Sequence, residues 1–414
     1  MHAELLTIGS ELLNGATVNS NAAYLARRLA EAGIACRRQT AVRDDRVELC
    51  EALQETIGRT SLVLITGGLG PTFDDITLEM LAEVTGHPLV RSPAVAATIR
   101  RFYTRRQRTL QRAALRQAAL PEGGVPLPNP IGTAPGVWLE LGGRIVVALP
   151  GVPAEMRAIM DRSVMPRLRR LVRGTAMAHR TLRTVGIVEL SIQEILERLP
   201  IPDQIEVGLY PHLRAVDVRL TATARSRREA RRLVQRLETA LRRRLGSVVY
   251  GVDGDTLEAV VGTLLVARHK TLSVAESCTG GLIADRITDV SGSSRYFRGG
   301  VIAYHNALKQ SRLGVPARIL TRHGAVSAQT ATRMAEGVRL FAGSDLGLAI
   351  TGIAGPTGGT KTKPVGLVYL ALADGRRTQV ARHQFFGDRE SIKWQAAQTA
   401  LDALRCVLLR AGSA

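Results

Sequence analysis

Residues 62–65, Leu62-Val63-Leu64-Ile65, form a run without a single polar side chain. A strand that apolar needs cover on both faces, which is the situation of a central strand in a parallel sheet flanked by helices. The surrounding sequence predicts that setting. Ala3 to Ile8 reads as a strand, and Asn19-Ser20-Asn21 can cap a helix carrying Tyr24, Leu25 and Leu29 that Gly33 stops. A second strand follows around Ile34 to Val42, then a helix from Arg46 to Ile57. This β-α-β-α-β rhythm predicts a doubly wound α/β domain. Ligands in such sheets lie beyond the carboxyl ends of the strands, where the apolar run ends in Thr66-Gly67-Gly68-Leu69-Gly70-Pro71-Thr72-Phe73-Asp74-Asp75. The glycines let backbone amides approach a phosphate, and the next helix adds its N-terminal dipole. The paired carboxylates of Asp74 and Asp75 make sense beside an anion if a divalent metal bridges them to it. Either could also cap the helix beginning near Ile76, and the two roles are compatible.

A basic stretch, Arg100 to Arg116, leads into a Pro/Gly-rich loop from Pro121 to Gly136. A loop of this length is usually functional. A hairpin follows, Val137 to Leu141 and Arg144 to Leu149. Pro150-Gly151-Val152-Pro153 then forms a second Gly/Pro turn at a strand end, expected to face the same cleft. Residues 173–252 read as a small α+β connecting domain. In it Val216, Val218, Leu220 and Ala222 alternate with polar residues beside an Arg-rich helix from Ser226 to Leu245. Asp255 with Glu258 resembles a capping box at the next boundary.

The last part repeats the opening pattern. Thr271 to Val274 is an apolar strand, Ala275-Glu276-Ser277-Cys278-Thr279-Gly280-Gly281 a hydroxyl-rich turn, and Leu282, Ile283 and Ile287 one face of a helix. Further strands are expected at Val301 to Ala303, Leu346 to Ile350 and Gly366 to Leu372, with a final helix from Arg389 to Leu409. The fold class is α/β: two doubly wound domains, residues 1–172 and 253–414, joined by the α+β domain of residues 173–252.

The net charge of +20 raises nucleic-acid binding as a possibility. Against it, the arginines are spread over most helices and only 4% of residues are aromatic, too few for a base-stacking platform. A solvated helical face is the favoured reading, and anionic nucleotide substrates would also benefit from such a field. The four cysteines, Cys36, Cys50, Cys278 and Cys406, have no metal-ligand spacing and fit a reducing compartment. No apolar run approaches membrane-spanning length, and Met1-His2-Ala3-Glu4 carries no basic leader. A cytoplasmic protein with no membrane partner is expected.

Taken together, the motifs resemble those of the CinA family (competence/damage-inducible protein A) over essentially the whole chain. Gly9 to Gly15, Gly67 to Asp75, Gly132 to Gly136 and Leu149 to Met156 resemble the molybdopterin-binding fold of the MogA and MoaB type. Ala275 to Gly281, Gly292-Ser293-Ser294, Tyr304 to Lys309, His323 to Ser327, Thr351 to Pro356, Lys363 to Gly366 and Gly387-Asp388-Arg389 resemble the family's nicotinamide mononucleotide (NMN) deamidase domain. The resemblance implies a Ser/Lys amidohydrolase that converts NMN to nicotinic acid mononucleotide and ammonia without a cofactor. It further implies a first domain that hydrolyses ADP-ribose to AMP and ribose 5-phosphate with a divalent metal at Asp74 and Asp75, and a homodimer. Substrate contacts are implied for Glu11, Asn14, Gly67, Gly68, Gly70, Pro71, Thr72, Gly132, Thr133, Pro150 and Gly151 in the first domain, and for Thr279, Gly280 and Arg389 in the last. One departure stands out. His305 occupies a position where many relatives carry serine, and it is expected to tune the pocket.

Hydrolysis of a primary amide needs an activated nucleophile, a base that later protonates ammonia, and oxyanion donors. No convincing Ser-His-Asp set is present. A desolvated lysine can be neutral enough to deprotonate serine, and Lys309 takes that role. Two serines compete as nucleophile. The family's dyad favours Ser294, with Ser277 as relay or donor, and Tyr304 and Thr351 positioning the carboxamide. Cys278, at a helix start, is a rival because such thiols are often acidified. The alternative function is a nucleotide- or pterin-binding module that acts in DNA uptake or repair through its basic surface.

Overall fold

The computed structural model describes residues 1–172 and 176–410. It forms two compact units, Met1–Ala178 with Ala222–Arg232, and His179–Thr221 with Leu233–Ala414. Among the described residues no helix is long and apolar enough to cross a membrane.

The first unit is built on a six-stranded mixed sheet. Leu62–Thr66, buried throughout, lies at its centre. It runs parallel to His2–Ile8 on one side and to Arg144–Leu149 on the other. Ala35–Val42 extends the parallel part, and Gly136–Leu141 and Val125–Leu127 complete the far side antiparallel. Two apolar clusters cover the faces, one with Leu6, Val63, Ile65 and Met80, the other with Leu5, Leu25, Leu64 and Met156. The expected cap is present: Asn19 accepts from the Ala22 amide at the start of Ser20–Glu31. Two expectations need correction. The helix Thr77–Thr85 begins after Ile76 without a side-chain cap, so neither Asp74 nor Asp75 caps it. The long loop is partly ordered into the sheet, since Val125–Leu127 pairs with Gly136–Leu141; Pro126 is tolerated because the strand is at the edge.

The second unit contains a five-stranded sheet in the order Phe297–Ile302, Leu272–Glu276, Leu346–Gly352, Leu367–Ala373, Thr378–Gln384. The first three strands are parallel and the last two antiparallel. The 22-residue helix Arg389–Arg410 buries Ile392, Ala396, Leu401 and Leu404 in the core cluster on one face. Helix Ala328–Phe341 supplies Met334, Ala335 and Val338 to a separate cluster with Ala275 and Ala349. A smaller four-stranded sheet contains Ile205–His212, Ala215–Ala224, Ala176–Thr184 and Val249–Val252. The boundary cap is Thr256, which accepts from the Ala259 amide; Asp255 instead accepts from the Val252 amide, and Glu258 pairs with Arg286. The fold class read from the sequence therefore holds, with antiparallel strands added to each main sheet.

Candidate functional site

The turn after Leu272–Glu276 is shaped from beneath by Glu276. Its side chain is buried, and its carboxylate accepts from the amides of Gly281 at 3.0 Å, Ile283 at 3.2 Å and Ala284 at 2.9 Å. Gly280 and Gly281 have φ of +65° and +102°, a left-handed backbone that favours glycine. The chain thus doubles back to put Ser277 at the sheet's carboxyl edge, where its amide donates to the Ile350 carbonyl at 3.0 Å. The sequence motif places Glu276 beside Ser277 without indicating this supporting role. A carboxylate between an apolar strand and a Gly-Gly turn was the available signal.

Lys309 arrives from the short helix Asn306–Ser311, capped by His305, whose Nδ1 accepts from the Ala307 amide. His305 therefore does the capping work that serine does at such positions, and Nδ1 as acceptor fixes the tautomer with the proton on Nε2. Lys309 is among the largest fully buried side chains, 1% exposed. Its Nζ lies 2.6 Å from the Ala303 carbonyl, 3.2 Å from the Tyr304 carbonyl and 3.2 Å from Ser277 Oγ. Burial holds its pKa below the ordinary lysine value. Nζ donates to the two carbonyls and to Ser277 Oγ; on losing one proton it would keep two N–H donors for the carbonyls and present a lone pair to the Ser277 hydroxyl.

Ser294 is elsewhere in this geometry. It lies exposed on the turn Ser293–Arg295 and is not among the hydrogen-bond partners of Lys309. The serine brought to the lysine is Ser277. Cys278 does not have the acidified thiol expected at a helix start. Burial, with Glu276 nearby, pushes it up to about 12. Around the pair, the Thr279 hydroxyl is buried and meets no acceptor. Thr351 is buried and donates to the Ala325 carbonyl at 2.8 Å. Arg389, first residue of the final helix, donates to the Tyr304 hydroxyl at 2.9 Å and to the Gly355 carbonyl at 2.7 Å. Both Tyr304 and Arg389 are exposed.

In the first unit the two Gly turns meet. Thr66 Oγ1 donates to the Pro150 carbonyl at 3.0 Å, Asn21 Nδ2 donates to the Gly151 carbonyl at 2.7 Å, and the Gly67 amide donates to the Leu149 carbonyl at 3.1 Å. A Cβ on Gly67 would come within 2.1 Å of the Ile8 carbonyl, so only glycine fits. A cavity of about 260 Å³ is lined by Glu11, Asn19, Asn21, Thr66 and Gly151. A second, of about 120 Å³, is lined by Gly68, Gly70, Asp75 and Arg116. The remaining expected contacts face neither cavity. Asn14 accepts from the Ala16 amide, and the Gly132 amide donates to Asn129 at 2.9 Å beside Thr133. Asp75 accepts from the Thr72 amide at 2.8 Å and from its hydroxyl, while the same threonine holds the exposed Asp74 carboxyl below the usual range. Among the described residues no three His, Cys, Asp or Glu side chains gather to enclose a metal ion. Two carboxylates on a Gly-rich turn fit an ion of the magnesium type, which takes its other ligands from phosphate and water.

An α/β protein with one Gly-turn cleft and one buried Ser–Lys pair is the class these features define. Three family models match it: the probable molybdopterin binding domain over residues 4–170, the damage-inducible protein CinA KH domain over 179–251, and the CinA C-terminal domain over 254–408. A putative competence-damage inducible protein of Moorella thermoacetica is 45% identical over 402 residues, 97% of each chain. A CinA-like protein of Salinibacter ruber is 44% identical over 411 residues, 99% of this chain and 100% of its own. A solved CinA structure from Thermoplasma acidophilum is 37% identical, covers 41% of this chain and 97% of its own, and has a TM-score of 0.38. The chain belongs to the CinA family.

Proposed function

We propose that the last domain is an amidohydrolase acting on NMN, with Ser277 as nucleophile and Lys309 as general base and acid. The observation that supports this reading is the buried Lys309 Nζ, 3.2 Å from Ser277 Oγ. Neutral Lys309 takes the Ser277 proton as Oγ attacks the carboxamide carbon. The oxyanion of the tetrahedral adduct is met by the Thr279 hydroxyl, which has no other partner. Lys309 then passes its proton to the departing nitrogen, and ammonia leaves an acyl ester on Ser277. Lys309 next deprotonates a water, which attacks the ester. Ser277 leaves with the proton, giving nicotinic acid mononucleotide. Arg389 binds the substrate phosphate, with Tyr304 against it. The test is incubation of the whole protein with NMN and measurement of ammonia across pH. Activity is expected to rise with pH through one ionisation below the ordinary lysine value, because the base must be neutral. Absence of ammonia at every pH would sink the reading.

For the first domain we infer hydrolysis of ADP-ribose, supported by the turn that joins two carboxylates to glycine amides. A divalent ion held by Asp74 and Asp75 would neutralise pyrophosphate charge when bound. Glu11, Asn21 and Gly151 line the cavity of about 260 Å³ and would bind the rest of the nucleotide. Replacing Asp74 and Asp75 together by alanine is expected to lower AMP release from ADP-ribose by roughly a hundredfold or more and to leave NMN deamidation unchanged. Equal loss of both activities in a folded protein would refute two separate sites.

A further inference from the structure

The second unit contains a cleft of about 990 Å³, and none of the candidate site residues above lines it. Its wall includes Arg286, only 7% exposed. Arg286 Nη2 donates to Glu258 at 2.7 Å and to Gln398 at 2.8 Å, while its Nε and Nη1 are buried without any acceptor. Unmet donors on a permanent charge are costly, and such a group is normally completed by an acceptor. The guanidinium carbon stands 4.5 Å from the centroid of the Trp394 ring, and Trp394 is still 39% exposed. Tyr250 and Leu282 add apolar wall, and Lys393 adds a cation with no carboxylate partner among the described residues.

Five lining carboxylates stand against Arg183, Arg286 and Lys393, so the anion site is confined to the unpartnered donors of Arg286 and Lys393. Asp217 is held by Arg183 and His212, Glu258 by Arg286, Asp255 by the Val252 amide and Asp388 by the Ser391 amide. Among the described residues Glu390 has no such partner. The size suits a drug-sized organic molecule. We propose that this cleft binds a small molecule that joins a flat aromatic ring to an anionic group, the ring against Trp394 and the anion accepting from Arg286 and Lys393.

The chain has two tryptophans, so in a Trp138→Phe background Trp394 is the sole indole reporter. Its fluorescence would be titrated with nicotinate, AMP, adenosine and inorganic phosphate, and binding confirmed by calorimetry. Saturable quenching by nicotinate identifies a carboxylate as the anion, and by AMP a phosphate; either supports the site. Adenosine, a ring without charge, and phosphate, a charge without a ring, should bind at least about tenfold more weakly, the effect of one charge-assisted hydrogen bond. Lys393→Ala, a change outside the core, should weaken the anionic probe by about tenfold, and Arg286→Met further. Ser277→Ala should leave this binding unchanged, which keeps the test independent of the amide chemistry. No saturable quenching by any probe, or equal affinity in Lys393→Ala, would overturn the proposal; so would adenosine binding as tightly as AMP.

Discussion

In Lys309→Ala, ammonia release from NMN is expected to fall by roughly a thousandfold or more, since the variant loses the group that both accepts and returns the proton. The circular dichroism spectrum and ADP-ribose hydrolysis should be unchanged. Small primary amines added to the variant should restore part of the rate, because the deleted side chain leaves space beside Ser277 and the Ala303 and Tyr304 carbonyls. Near-normal turnover without added amine would end the dyad reading. The same lysine leaves a mark on stability. Its folded pKa is depressed by burial, whereas the unfolded chain titrates near ~10.4. Between the two values the unfolded state binds more protons, so stability rises with pH across that window. Denaturant titrations of the variant should lack that rise, a readout that needs no activity.

The second large effect separates the two serines. Ser277→Ala should lower deamidation by roughly ten-thousand-fold, as expected when the attacking atom is removed. Ser294→Ala should change it by less than about tenfold, because an exposed turn serine contributes at most a substrate hydrogen bond. Trapping of NMN as an ester on Ser277, seen by mass spectrometry after acid quench, would give the same assignment. The reverse ranking of the two variants would return the nucleophile to Ser294.

Much of the fold was legible because single positions carried strong physical demands. Leu62 to Ile65 could only be a doubly covered strand, and Asn19 had a free side-chain oxygen at the right offset from an apolar stripe. The edge strand Thr378–Gln384 was not legible. Its Thr-Gln-Val-Ala-Arg-His-Gln sequence has little apolar alternation and is held by backbone pairing to Leu367–Ala373. In the site, the residue types were readable and their partnership was not. Ser277 and Lys309 are 32 positions apart, and their contact depends on the His305 cap and the register of Phe297–Ile302 against Leu272–Glu276. Family likeness supplies a serine and a lysine but no distance between them, which is why Ser294 was favoured. Cys278, weighed only as a rival, shows the same limit: the helix start is visible in sequence, the depth of burial is not.

Glu276 also fixes what the turn above it can recognise. Three amides that would otherwise converge on an anion are already occupied by its carboxylate. The junction has the outline of a phosphate cradle but is electrostatically closed to one. In the proposed hydrolase, charge on the substrate would then be met by exposed side chains such as Arg389, where dissolved salt screens the attraction. Ser277 and Lys309 lie deeper, buried from solvent. On the proposed chemistry, capture of substrate would answer to ionic strength and breakage of its amide would be sheltered from it.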